Sequence, residues 1–137
     1  MIAGFSASLS GLMAQSKRLA VSADNIANMH SRGVREGGPA QASEAGRRGA
    51  YVPKRVDDVT AAGGGVRAEV RPVEPPSVEV YAPGRPDADA AGVAAIPNVN
   101  LAEELVTQIQ AQRAYEANAA AFRTQDEITD SLIDIKS

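Results

Sequence analysis

The sequence has no cysteine and no tryptophan, only two phenylalanines and three tyrosines, and one histidine, His30. Without cysteine, a disulfide framework and a Cys-based zinc site are excluded. A lone imidazole cannot build a His-rich metal cluster, and as a general base it would need a serine or carboxylate brought to it by the fold. With aromatics at 4% of residues, few side chains are large enough to fill a core. Charge of one sign is also missing. Fourteen basic and seventeen acidic side chains give a net charge of −3, with both signs scattered, so no basic field marks a nucleic-acid partner. No apolar run approaches the ~18 residues of a membrane span. No basic stretch precedes the small and apolar start, "MIAGFSASLSGLMAQ"; Lys17 and Arg18 follow it, the wrong order for a cleaved secretory signal.

Proline is absent before Pro39 and after Pro97, and only Gly4 and Gly11 among the glycines lie outside Ser31–Pro97. Two helix-compatible ends therefore flank a turn-rich middle, dividing the chain into residues 1–33, 34–97 and 98–137.

At the first end, Phe5, Leu9, Leu12, Ser16, Leu19, Ala23 and Ile26 recur at spacings of four and three, a heptad seam with one polar interruption. This predicts a helix over 4–30, roughly 40 Å long. Gly33 reads as its stop, with His30 and Arg32 at the negative end of the helix dipole. The last end is predicted as a helix over 100–135, capped by Asn100 with Glu103 as the reciprocal partner. Its seam runs Leu101, Leu105, Gln108, Gln112, Tyr115, Ala119, Phe122. It then changes phase and resumes as Ile128, Leu132, Ile135. The expected fold class is mainly α with a small β-rich insert, the long terminal helices forming a coiled-coil module. In the middle, "VRAEVRPV" and "SVEVY" alternate as strands, and "YVPKRVDDV" is a third with Pro53 confining it to an edge. "EGGPAQASEAGRRG" and "AAGGG" read as mobile loops.

No chemistry assembles. "DADAAG" at Asp87 resembles the start of a calcium loop, but Ala91 and Asn98 stand where its fifth and twelfth ligands belong, so a turn is expected. Asp126, Asp130 and Asp134 share a helix face and read as a solvated one. Gly63–Gly65 has no P-loop lysine beside it. No catalytic residue, cofactor or metal is expected, and the chain does not read as an enzyme. Periodicity leaves two arrangements open. Either the two seams bury each other in a helical hairpin, or both helices pack on other subunits.

Both ends resemble a known family. "LSGLMAQSKRLAVSADNIANMHSRG", with its tetrad Asn25-Ile26-Ala27-Asn28, is similar to the N-terminal signature of flagellar basal-body rod and hook proteins. "NVNLAEELVTQIQAQRAYEANAAAFRTQDEITDSLIDI" is similar to their C-terminal signature. The short insert, with "YVPKRVDDV", "GGGVRAEV" and "VYAPGRPDADAAGVAAIPNVN", most resembles the proximal-rod FlgC type. Val34 stands where the family often has an aromatic, and "EGGPAQASEAGRRG" matches nothing in it.

The resemblance implies a structural protein that polymerises through its terminal helices into the axial drive shaft of the flagellum, transmitting torque and enclosing the export channel. It implies export through the flagellar type III apparatus without signal cleavage, and a rod crossing the periplasm with no membrane span of its own. Implied partners are copies of the chain and other rod proteins. The expected assembly residues are Phe5, Leu9, Leu12, Leu19, Asn25, Ile26 and Asn28 on the first helix, and Leu101, Leu105, Ile109, Tyr115, Asn118 and Phe122 on the last. The rival reading is a soluble helical-hairpin adaptor that binds one partner without polymerising.

Overall fold

The structure, a computed structural model, describes residues 2–33 and 50–135. Val34 and the 36–49 loop, both singled out by the sequence, lie outside the described residues. The element order is α1 (Ile2–Asn28), β1 (Lys54–Thr60), β2 (Val66–Pro72), β3 (Ser77–Tyr81), β4 (Val93–Pro97) and α2 (Leu101–Asp134). Two long helices and a small β-rich insert agree with the expected mainly helical class.

Both helices end for local reasons. At the start of α2, Asn100 Oδ1 accepts from the Ala102 amide at 3.0 Å, and Asn100 Nδ2 donates to Glu103 Oε1 at 3.1 Å. The capping pair thus forms, but Glu103 takes the cap's side-chain amide rather than its backbone N–H. Helix α1 stops at Asn28, five residues before the predicted glycine stop. There the Asn28 carbonyl accepts from both the amide and the hydroxyl of Ser31, at 2.9 and 2.8 Å. His30 and Arg32 lie beyond the last helical turn. Gly33 has a different role, being buried and forming an isolated antiparallel bridge with Ala95.

The strands form two separate antiparallel pairs, β1–β2 and β3–β4. Strand β1 begins just after Pro53, as a residue without an N–H requires, and runs in register from Lys54 opposite Pro72 to Thr60 opposite Val66. This first hairpin lies on α1. Ser10 Oγ accepts from the Val66 amide at 3.1 Å, Lys17 Nζ donates to the Ala68 carbonyl at 3.1 Å, and Arg18 pairs with Asp58 at 2.7 Å. Strand β4, "VAAIP", is not foreseen by the sequence reading. Two alanines carry little strand propensity, but they are the small side chains that let this strand be enclosed; Ala94 and Ala95 are buried. The "DADAAG" stretch makes the turn before it, where Asp89 Oδ1 accepts from the amides of Ala91 and Val93.

The helices run antiparallel, and the surfaces that meet coincide only in part with the predicted seams. A Cβ added to Gly11 would stand 2.5 Å from Asn118 Oδ1, and one added to Gly4 would stand 2.7 Å from Gln125 Nε2. Asn25 Nδ2 donates to Glu104 Oε1 at 2.6 Å. Positions seven apart on α1 therefore meet positions seven apart on α2 in reverse order. The stripe in contact is small and polar: Ser8, Gly11, Ala14, Ser22 and Asn25 on α1 are buried, with Ala111 on α2. Glycine permits this approach because nothing but hydrogen projects from its Cα. The predicted leucine seams are displaced to one side. An aromatic contact joins the helices edge-to-face, Phe5 on Phe122, with ring centroids 5.1 Å apart.

This packing fixes the sign of a double-mutant cycle. Gly11→Ala gains about 1 kcal/mol of helix propensity but drives its methyl into Asn118. Alone it should destabilise the chain. In an Asn118→Ala background the obstruction is gone, and the same change should stabilise by about 0.5–1 kcal/mol. Urea unfolding followed by circular dichroism measures both backgrounds; the same sign in each would contradict the close approach.

Candidate assembly surface

Two surfaces follow from the displaced seams. One is the buried polar junction where α1, α2 and the first hairpin meet. The other is an open apolar groove along the helix pair.

Asn25 is the centre of the junction and is 1% exposed, the largest fully buried side chain among the described residues. Its Nδ2 donates to the Lys54 carbonyl at 2.7 Å and to Glu104 Oε1 at 2.6 Å. Its Oδ1 accepts from the Lys54 amide at 3.0 Å and faces the Tyr51 hydroxyl at 3.0 Å. Both amide hydrogens are thus engaged and Oδ1 holds the Lys54 amide, while the single Tyr51 hydroxyl proton is shared between Oδ1 and Asp24. One side chain on α1 reads both backbone groups at the start of β1 and the first turn of α2. Ser22 Oγ adds a hydrogen bond to the Glu104 carbonyl at 3.1 Å. The Tyr51 hydroxyl also lies 2.9 Å from Asp24 Oδ2. Burial, then the Asp24 carboxylate, push the Tyr51 phenol above its ordinary range, so it stays a neutral donor.

The other predicted interface residues divide by orientation. Phe5, Leu12 and Ile26 on α1, and Asn118 and Phe122 on α2, are half-buried. Asn28 is half-buried too, but its amide turns back to the Asp24 carbonyl within α1 at 2.9 Å and joins no other element among the described residues. Leu9 and Leu19 are exposed, as are Leu101, Leu105, Ile109 and Tyr115. Leu19, Leu105, Ile109 and Tyr115, with Gln15 and Gln112, line a groove of about 470 Å³ between the helices. By helical periodicity this groove runs along the side of α1 away from Ser10 and Lys17, which hold the first hairpin. Leu105 is 47% exposed and Ile109 60%, and no charged side chain among the described residues lines the groove.

Sequence reasoning missed the contributors that are not apolar: Gly4, Gly11, Ser22, Glu104 and Gln125. A signal was present, since Gly4, Gly11 and Asn25 share one heptad position, as do Glu104, Ala111, Asn118 and Gln125. No helix among the described residues is long and apolar enough to cross a membrane.

Comparison with known proteins bears on both helices. The family described as "Flagella basal body rod protein" matches residues 5–31, nearly all of α1. The family described as "Flagellar basal body rod FlgEFG protein C-terminal" matches residues 90–135, from the turn before β4 to the end of α2. The flagellar basal-body rod protein FlgC of Salmonella typhimurium is 40% identical over 117 residues, covering 84% of this chain and 82% of its own. FlgC of Borreliella burgdorferi is 34% identical over 139 residues, covering 91% and 90%. FlgC of Agrobacterium fabrum is 33% identical over 129 residues, covering 92% and 88%.

The junction predicts a specific sensitivity. Asn25→Ala removes the side-chain partners of the Lys54 amide and carbonyl and of Glu104, a loss of about 1–3 kcal/mol. Asn25→Asp keeps the shape but turns a donor into an acceptor facing Glu104 and the Lys54 carbonyl. The new carboxyl would hold its proton more tightly folded than unfolded, so the folded state binds more protons and stability falls as pH rises. Thermal unfolding of Asn25→Asp should therefore show a larger deficit against the unaltered chain at pH 7 than at pH 4. An equal deficit at both values would contradict the donor role.

Proposed function

The chain belongs to the flagellar basal-body rod protein family, in its FlgC type, and from that premise we propose that it polymerises through its terminal helices into the axial rod. It is a structural component of the basal body, serving motility, and not an enzyme. In this reading the rod transmits torque and encloses the export channel. Its partners are further copies of the chain and other rod proteins. The chain travels through the flagellar type III apparatus without signal cleavage, and the rod stands in the periplasm.

One observation carries the reading: α1 and α2 pair through small and polar side chains, leaving their leucines facing outward. A self-sufficient hairpin would bury Leu19, Leu105 and Ile109 against each other. Here they line one open groove, ready for a neighbouring helix. In this reading the expected coiled-coil module forms between subunits.

The test compares two substitutions on α2. Leu105→Asp puts a charge on the groove wall, and Gln110→Asp puts one on another side of the same helix. Burying a leucine at each contact is worth roughly 1.5–3 kcal/mol, and an unpaired charge there adds to the loss. Because Leu105 is about half exposed in the single chain, the soluble variant should keep its helical signal. Leu105→Asp should be missing from purified basal bodies and the cells non-motile, while Gln110→Asp is incorporated. Equal incorporation of the two would contradict assembly through this groove.

A further inference from the structure

The first hairpin is held to α1 unevenly along its length. No residue of β1 or β2 is buried, whereas three of the five in β4 are. With no fully buried side chain in either strand, hydrogen bonds and ion pairs define where the hairpin sits. An antiparallel ladder directs alternate backbone groups outward. The outward set here includes Lys54 on β1 and Val66 and Ala68 on β2, and side chains of α1 meet each of them. At the base, beside the buried Pro53, Asn25 engages both the amide and the carbonyl of Lys54, at 3.0 and 2.7 Å. Lys54 Nζ also lies 3.6 Å from Asp24 Oδ2. At the tip, Ser10 Oγ accepts from the Val66 amide at 3.1 Å and donates its own proton to the Ala7 carbonyl at 2.7 Å. The exposed Lys17 reaches the Ala68 carbonyl at 3.1 Å. Midway, Arg18 pairs with Asp58 at 2.7 Å, the two side chains 24% and 30% exposed. Gly65 rests on the backbone of α1, since a Cβ there would stand 3.1 Å from Ala7 Cα. The base is thus anchored by a buried amide and a buried proline, and the tip by a half-buried hydroxyl and an exposed ammonium. Polar contacts open to solvent belong to the low-stability end of a structure.

We infer that the first hairpin is a strap hinged at Asn25 and Pro53, whose tip lifts from α1 while its own ladder and the helix contact stay closed. Lifting breaks the bonds to Ser10, Lys17 and Arg18 together, because the ladder between β1 and β2 couples them. It bares the Ser10 hydroxyl, the Val66 amide and the Ala68 carbonyl in one step. In the closed position Ser10 and Lys17 occupy outward backbone groups of β2 and keep that edge from pairing with a further strand. The strap is a cover over the edge of β2, released from the tip.

Hydrogen exchange followed by NMR on the full chain tests this, because three amides report three parts of the device. Val66 reports the tip and Lys54 the base. Arg67, opposite Val59, bonds within the hairpin. After correction for intrinsic rates, exchange at Val66 should be roughly tenfold or more faster than at Lys54 or Arg67. Arg18→Gln removes the ion pair midway along the strap and should speed Val66 by about two- to fivefold more, the factor an exposed pair is worth, with Lys54 and Arg67 still protected. Exchange at Val66 no faster than at Lys54 would overturn the hinge. Arg67 exchanging as fast as Val66 would overturn it too, because the hairpin would then be unravelling instead of lifting. No response of Val66 to Arg18→Gln would show one bond fraying alone, and would equally overturn the strap.

Discussion

The close approach of the two helices determines which of their faces remain free. Gly4 and Gly11 have no side chain to hold α2 away, and the carboxamides of Gln125 and Asn118 fill the space that results. A helix pair joined by leucines would stand farther apart and use up its apolar side chains in doing so. This pair places glycine, serine, alanine and amide on the internal contact. Leu9, Leu19, Leu101, Leu105 and Ile109 are left outside as a consequence, and the proposed assembly follows from that division.

Polar bonding takes over the part that large apolar side chains play in a larger core. The buried apolar residues among those described are Ala14, Ala94, Ala95 and Ala111, each contributing little beyond a methyl group. Asn25, by contrast, ties three elements together, both amide hydrogens donating and its oxygen accepting from the Lys54 amide. Such a junction specifies one geometry, because every displaced partner leaves a buried polar group unpaired. It sets where the first hairpin and the start of α2 sit relative to α1. It therefore also fixes which side of the helix pair is covered by strands and which stays open.

Much of this is legible in the residues and some is not. The two helices are visible from their periodicity and from the confinement of proline to the middle, and Asn100 marks the start of α2 to the residue. The family is visible in the Asn25–Asn28 tetrad and in the stretch after Asn98. The helix contact lies one position away from the expected seam, because the largest apolar side chains read as the inner face. In a chain with a large apolar core that inference holds; here Leu9, Leu19, Leu101 and Leu105 stay exposed in the single chain. Strand β4 escapes the reading because "VAAIP" has neither alternation nor branched residues in quantity. Its pairing with the preceding strand β3 and its bridge to Gly33, distant in sequence, enclose it. Asn25 stands out in the sequence as a register-fixing amide, but its partners Lys54 and Glu104 lie 29 and 79 residues away and no local pattern points to them.

The central claim is that the outward leucines are bare in one chain and covered in the rod. Thiol labelling measures this directly, since the natural sequence offers no competing cysteine. A Leu19→Cys chain can be labelled with a maleimide both as soluble protein and in isolated basal bodies. The account predicts rapid labelling in the soluble chain and strong protection after assembly. Equal labelling rates in the two states, or protection already present in the soluble monomer, would contradict it.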